Sequence, residues 1–165
     1  MEFSSFGAFA RHLGRLALEG EEVTHHITEE SAKLILARAQ AKIGDSQPAS
    51  GPFNGWAELA DSTKDEKERL GYVGNGGDHY QPLLREGVLR DSYEEQTRGN
   101  EAVVGSTDEV ALYQELGDEH RPPRPVIGPA AYDSKQDIGE KAASTVVAWV
   151  SGVGWVRPRQ LIKLP

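Results

Sequence analysis

Apolar residues recur at three- and four-residue steps near the start of the chain, which is the spacing of one face of a helix. The pattern begins with Phe3, Phe6, Phe9, Leu13 and Leu16. It resumes with Val23, Ile27, Leu34 and Ile35. It stops at Gly44, a residue type that commonly ends helices. We therefore predict a long N-terminal helix within residues 1–44, or two helices in tandem with a break near Gly20.

An apolar stripe on a projecting helix has to be buried against another surface, because apolar side chains are unfavourable in water. In a chain of 165 residues that surface can belong to a neighbouring subunit. Phe3, Phe6 and Phe9 are therefore candidate residues of an interface between subunits.

Turn-forming residues dominate residues 45–82, which we expect to be loops around one short helix. Ser62 is predicted to cap that helix, which ends near Leu70. The glycine-rich residues 71–78 predict a second loop. Long loops in a small protein are usually functional or become ordered on assembly.

Short strands and a short helix are predicted in the second half of the chain. Residues 89–97 suit a strand, residues 98–100 a hairpin turn and residues 102–104 the returning strand. A short helix follows, with Asp108 as its cap and Gly117 at its end.

Prolines and arginines at residues 121–125 exclude a helix there and predict an extended segment. A second long helix is expected from Ala130 to about Val150, followed by a C-terminal arm at residues 154–165. The predicted buried side of this helix consists of Ile138, Ala142, Val146, Trp149 and Val150.

This order of elements predicts an α+β fold, in which a small antiparallel sheet carries a long N-terminal helix and a long C-terminal helix packed on it. A chain of 165 residues is expected to form a single domain. Its parts are an N-terminal helical segment (residues 1–44), loops with a short helix (45–82), a core of hairpin and helices (83–153), and a C-terminal arm (154–165).

Composition narrows the class of protein. The net charge of −8, from 26 acidic and 18 basic residues, disfavours a surface that coats nucleic acid. The chain has no cysteine, which excludes disulfides and thiolate sites and fits a reducing cytoplasm. The longest apolar stretch, residues 142–150, is too short to span a bilayer, and no signal peptide is indicated. We expect a soluble protein made in the cytoplasm.

No arrangement of residues predicts catalysis, a cofactor or a metal site, and we expect the protein not to be an enzyme. His25 and His26 are adjacent, so on a helix they point apart and cannot readily share a metal. Residues 71–77 lack the preceding strand and following helix of a phosphate loop. Nucleotide binding by this loop remains a rival hypothesis. The acidic pairs lie on solvated faces, and no serine stands in a Gly-x-Ser-x-Gly turn.

Residues 121–125 allow two interpretations. A proline-rich run can be the ligand of a domain with an aromatic groove, which would make the protein a soluble adaptor. It can also be a rigid connector that fixes the angle between two elements. Its two arginines, Arg121 and Arg124, have the planar guanidinium geometry that suits carboxylates across an interface.

Five short motifs follow one another along the chain, and their order is more informative than any one of them. They are a tryptophan–leucine–threonine–lysine segment (residues 56–67), a leucine–glycine–leucine–arginine turn (83–93), a valine–glycine strand end (104–106), a tyrosine-bearing helix (110–117) and an arginine–proline stretch (123–130). This series resembles the tail-component and virion-morphogenesis family of tailed phages, which comprises neck and tail-completion proteins. The main matching positions are Trp56, Leu84, Gly87, Leu89, Gly105, Gly117, Pro123 and Pro125.

The resemblance covers residues 56–150 and has departures. Glu86, Val110, Leu116 and Val126 stand where the family has threonine, an aromatic residue and two phenylalanines, and the arm has no counterpart. The departures leave the branch of the family open and the fold expectation unchanged.

The resemblance implies a structural virion protein at the head–tail junction. It would form a homo-oligomeric ring, a hexamer that matches the tail or alternatively a dodecamer. Its other partners would be a connector or stopper, a tail terminator and the tail tube. Genomic DNA would pass through the ring without sequence-specific binding, and no membrane would be involved. A tail terminator is the alternative position.

Charged residues in or beside these motifs are candidate assembly contacts: Arg85, Arg90, Glu115, Arg121 and Arg124. Gly87 is expected to make a tight turn that anchors Leu84 and Leu89 in the core. Arg90 would project from that turn toward an acidic neighbour, and Glu115 and Arg124 would pair within or between subunits. The alternative for the arginines is a surface ion pair of little energetic value.

Overall fold

The computed structural model describes residues 2–75, 77–153 and 155. Long helices stand at both ends of the described chain, and a two-stranded antiparallel sheet lies between them, which confirms the predicted α+β class. The elements are α1 (Phe6–Lys42), α2 (Asp61–Leu70), α3 (Val88–Asp91), β1 (Tyr93–Arg98), β2 (Glu101–Ser106), α4 (Glu109–Leu116) and α5 (Ile127–Ser151).

Helix α1 is one unbroken helix of 37 residues, about 55 Å long. Ser5 caps it, since its side-chain oxygen accepts a hydrogen bond from the backbone N–H of Ala8 at 3.1 Å. The alternative of a break near Gly20 is wrong. A single glycine costs a helix only about 1 kcal/mol, and Trp149 of α5 packs against this position, 3.9 Å from where a Cβ would stand.

Helix α5 packs along α1 and begins earlier than predicted, at Ile127. Its fully buried positions near the start include Ala130 and Ser134, both small enough for close helix contact. The predicted buried side is partly wrong, because Val146 and Val150 are exposed. The remaining predicted positions, Ile138, Ala142 and Trp149, are half-buried.

The sheet is a hairpin packed on α1. Tyr93 pairs with Ser106 and Arg98 with Glu101, so the turn consists of Gly99 and Asn100. The hairpin is in the predicted place, but Arg98, predicted in the turn, belongs to β1. The predicted start of the first strand at residue 89 is wrong. Gly87, with φ of 90°, turns the chain into the short helix α3 instead, and its carbonyl accepts a hydrogen bond from the backbone N–H of Asp91 at 2.9 Å.

The short helix α2 begins at Asp61, so the predicted cap at Ser62 is wrong. Ala60 precedes the helix and offers no side-chain acceptor, while Asp61 places a carboxylate in the first turn. The predicted C-terminal arm lies outside the described residues, apart from Trp155. Within the described ranges, none of the helices combines the length and the apolar character needed to cross a bilayer.

The hydrophobic core sits where the C-terminal end of α1 meets the sheet, α4 and the start of α5. Its buried members are Ala39, Ile43, Tyr93, Ala111, Val126 and Ala130. Partly buried residues pack around them: Ile35, Leu36, Trp56, Leu83, Leu84, Leu89 and Ile127. Most members are small, so each large side chain in this core contributes a substantial share of the buried area.

A network of charges joins α1 to α5 through Asp133. Lys42 Nζ donates to Asp133 Oδ2 at 2.7 Å, and Ser50 Oγ donates to the other carboxylate oxygen. Arg38 donates both to the backbone carbonyl of Asp133 and to the carboxylate of Asp137. The hydrogen bond from Lys42, followed by that from Ser50, holds the pKa of Asp133 below its ordinary value.

Replacing Asp133 by asparagine is expected to lower the free energy of unfolding by about 1 kcal/mol at neutral pH, because a charge-assisted hydrogen bond is weakened. The pKa of Asp133 is lower in the folded state, so its contribution is present above the unfolded pKa and is lost as pH falls through the folded pKa. Urea titrations at about pH 7 and about pH 2 measure this. A difference between wild type and variant that is equal at both pH values contradicts the assignment.

Candidate functional site

A groove of about 760 Å³ lies between α2, α4 and the proline-rich residues 121–125. Pockets of roughly 300–1,000 Å³ are large enough for a ligand or several partner side chains. Leu83 and Leu89 connect the groove to the core, since both also pack against the core residues. The apolar side chains along its wall are Leu59, Leu83, Val88, Leu89, Val110 and Pro122.

Lys67 of α2 is a buried cation in the wall of this groove, with only 3% of its surface exposed. Its ammonium group donates to two backbone carbonyls, those of Gln81 at 3.2 Å and Leu84 at 2.5 Å. Burial, and then the nearby charge of Arg85, lower the pKa of Lys67. No carboxylate of the described chain forms an ion pair with it.

Arg124 is the second buried cation of the groove, with 8% of its surface exposed. Its Nη2 donates to the carbonyls of Ala57 and Glu58 at 3.1 and 3.2 Å. Its Nε has no hydrogen-bond partner within the described ranges. Burial lowers the pKa of this guanidinium group. The expected pairing of Arg124 with Glu115 does not occur within the chain, because each side chain is bound to backbone groups instead.

Glu115 holds the start of α5. Its Oε1 accepts hydrogen bonds from the backbone N–H groups of Val126 and Ile127, both at 2.8 Å. A negative charge at a helix N-terminus is favourable, because the free N–H groups there carry partial positive charge. Val126 offers no side-chain cap, so a residue eleven positions earlier supplies the missing acceptor.

The other predicted arginines form exposed ion pairs. Arg85 pairs with Glu66 at 3.0 Å, and Arg121 pairs with Asp118 at 2.6 Å; both arginines border the groove. Exposed pairs of this kind contribute little to stability.

Arg90 is paired with its sequence neighbour Asp91 at 2.9 Å, an exposed ion pair within the chain. It does not line the groove. The role of these three arginines between subunits stays a prediction, because the ion pairs that they form are all within the chain.

The predicted glycines differ in what requires them. Gly117 has φ of 68° and ψ of −179°, a region open almost only to glycine. A Cβ there would lie 2.7 Å from the carbonyl oxygen of Arg121 and 2.8 Å from the nitrogen of Pro123. Gly87 needs its positive φ of 90° to start α3. Gly105 pairs within the hairpin, and a Cβ there would meet no atom within 4 Å.

The proline-rich segment is partly fixed to the rest of the molecule. Trp56 Nε1 donates to the carbonyl of Pro125 at 3.0 Å, and the backbone N–H of Arg124 donates to the backbone carbonyl of Gln114 at 2.7 Å. Pro122 and Pro123 remain exposed. This arrangement favours the rigid-connector interpretation, since half of the run is held by internal hydrogen bonds.

The N-terminal end of α1 carries Phe3, Phe6 and Phe9, and we call residues 2–9 the aromatic tip. All three rings are exposed, and Phe6 is 84% exposed. The rings of Phe3 and Phe9 lie 5.2 Å apart, edge to face. Helix α5 ends beside Arg15, whose guanidinium group lies 2.8 Å from the Cβ position of Gly152. The tip therefore projects beyond α5.

The two remaining candidate sites are a metal site at the histidines and a phosphate site at the glycine-rich loop of residues 71–78. In residues 2–75, 77–153 and 155, no group of three histidine, aspartate or glutamate side chains is placed to hold a metal ion. The glycine-rich loop folds on itself, since the backbone N–H of Gly74 donates to the carbonyl of His79 at 2.9 Å. Gly77 lies against the carboxylate of Asp45, while the guanidinium group of Arg85 lies over the ring of Tyr72 in the same loop.

The groove includes Lys67 and Val88, which were not predicted as site residues from the sequence. Lys67 belongs to a strongly polar helix, and lysines on such helices are normally solvated. Only the folding of residues 81–84 over α2 buries it. The one available signal was its position in the first of the five motifs.

Comparisons with known proteins give no family for this chain. No protein-family model matches it, and no curated protein or solved structure matches it either.

Proposed function

We propose that this chain is a structural protein of a tailed-phage virion, in the neck where head and tail meet. The observation that carries the proposal is the convergence of the motifs in space. Four of the five contribute residues to the same groove, among them Lys67, Leu89, Val110 and Arg124. A concave groove of this size, built from separate stretches of the chain, is the kind of surface on which a ligand or partner binds.

The chain would act as one subunit of a ring, six-fold or alternatively twelve-fold, that joins the tail tube or its terminator to the head-side connector. The exposed aromatic tip supports assembly, because contiguous exposed apolar side chains mark interaction surfaces. The net charge of −8 supports a lumen that repels DNA and lets it slide. A tail terminator with the same kind of ring is the alternative position.

Electron microscopy of tailed particles produced by cells that express this chain tests the location. Antibodies against the chain are expected to decorate the junction of head and tail, and an antibody against a major capsid protein serves as the control. Decoration along the tail or at its distal end contradicts the proposal. Mass spectrometry of purified particles that fails to find the chain contradicts it as well.

A further inference from the structure

We propose that the aromatic tip of one copy docks into the groove of a second copy. The inference rests on the proposed function, since it specifies how neighbouring subunits of the ring would contact each other. The tip and the groove are different surfaces, so the contact is heterologous. Repeated from copy to copy, a heterologous contact closes into a ring when the rotation between subunits permits it.

The apolar surfaces of the two partners match. Phe6 is the most exposed phenylalanine of the tip, and Val88 in the groove wall is 67% exposed. Val110 adds a second exposed apolar side chain to the same wall. Aromatic anchors that fill a concave site dominate the energetics of many interfaces. Docking would remove both surfaces from water.

The charges match as well. Lys67 and Arg124 are buried cations held only by carbonyl oxygens, and the Nε of Arg124 remains without a partner in the described chain. An anion placed near such cations offsets the cost of burying them. The tip supplies one: Glu2 is exposed beside Phe3 and forms no ion pair with another described residue.

The geometry requires that tip and groove come from different copies. The groove adjoins the C-terminal end of α1, where the backbone N–H of Gly44 donates to the carbonyl of Pro82 at 2.9 Å. The tip is at the other end of α1, about 55 Å away along a continuous helix. A chain therefore cannot place its own tip in its own groove while α1 is intact.

Disulfide trapping tests the contact directly, because the chain has no cysteine of its own. Full-length Ser4→Cys and Val88→Cys proteins are mixed under oxidising conditions. Ser4 is exposed in the tip, and its replacement leaves all three phenylalanine rings in place. We expect a covalent heterodimer at about twice the 18.0 kDa of one chain. The matched control replaces Ser4→Cys by Leu18→Cys, an 83% exposed position of α1 away from the tip, and is expected to give little product. Equal trapping by Leu18→Cys, or no heterodimer, overturns the inference.

Complementation separates this contact from any other. Phe6→Asp and Val88→Asp each place a carboxylate in the first turn of a helix, where it is tolerated. Each variant alone is expected to weaken self-association by roughly tenfold or more in sedimentation experiments. The control variant Leu18→Asp is expected to leave self-association unchanged. Mixing the two variants is expected to restore only heterodimers, because one intact tip and one intact groove remain. Unchanged assembly of Phe6→Asp overturns the inference.

The two proposals fail in different ways. If Phe6→Asp assembles normally and the chain still decorates the neck of particles, the docking contact is wrong and the neck function stands. If the cysteine heterodimer forms but the chain is missing from particles, the docking contact stands and the neck function is wrong.

Discussion

Replacing Tyr93 by alanine is expected to lower the free energy of unfolding by about 3–5 kcal/mol. Tyr93 is 2% exposed and begins β1, where it packs in the same core as Ile43, Ala111 and Val126. The surrounding side chains are small, so they cannot fill the cavity that loss of the ring would leave. Urea titration followed by circular dichroism measures the change. An unchanged m-value would show that the unfolded states are comparable.

The matched control is Tyr93→Phe, which keeps the ring and removes the hydroxyl. That hydroxyl is buried and has no hydrogen-bond partner among the residues described. Burial, followed by the charges of Glu115 and Asp108, raises the pKa of Tyr93 far above its ordinary value, so the group stays neutral. We expect the phenylalanine variant to match wild type or to exceed its stability by up to about 1 kcal/mol. A loss as large as that of alanine contradicts the assignment to ring packing.

Replacing Glu115 by alanine is expected to lower the free energy of unfolding by about 3 kcal/mol, because two charge-assisted hydrogen bonds to the start of α5 are lost. The backbone N–H groups of Val126 and Ile127 would then be left without their acceptor. Hydrogen exchange of these two amides is expected to accelerate more than exchange in the middle of α5. Urea titration gives the total effect.

Glu115→Gln is the control for charge. The amide oxygen can still accept from the same N–H groups, so only the charged part of the interaction is removed. We expect glutamine to cost roughly half as much as alanine. If glutamine and alanine are equally destabilising, charge rather than hydrogen bonding holds the helix start. If neither substitution changes the free energy of unfolding, the hydrogen bonds between Glu115 and the start of α5 contribute nothing to stability.

Elements whose signals are local could be predicted from the sequence. The end of α1 before Gly44, the cap Asp108 of α4 and the hairpin turn at Gly99 follow from residue types within a few positions of each other. The two long helices follow from apolar spacing over many turns. These features depend on backbone preferences that each short stretch of chain expresses by itself.

Features that depend on contacts distant in sequence could not be predicted. The turn at Gly87 replaces the expected start of β1 by α3, and Val146 and Val150 on the predicted buried side of α5 are exposed. The hydrogen bonds from Glu115 to the start of α5 and from Lys67 to residues 81 and 84 join separate elements. Pairing of Glu115 with Arg124 looked reasonable by charge alone, but each side chain binds backbone groups nearby instead.

The candidate site was predicted only in part. Residues from four motifs converge on the groove, whereas the aromatic tip lies at the far end of α1. The tip could be predicted because the helical spacing of apolar residues extends back to Phe3, and its three phenylalanines are exposed in the structure. Its role between subunits stays a prediction, as do those of the arginines, because a single chain shows only the contacts that it makes with itself.

Helix α1 also acts as a lever. It is anchored by the core at one end and projects free of α5 at the other. Because α5 packs along α1 as far as Gly20, the two helices would rotate together. A rotation of the pair by about 10° about the core would move the tip by about 10 Å, given a helix about 55 Å long. In the proposed ring, the same subunit would then span different distances between neighbours without refolding.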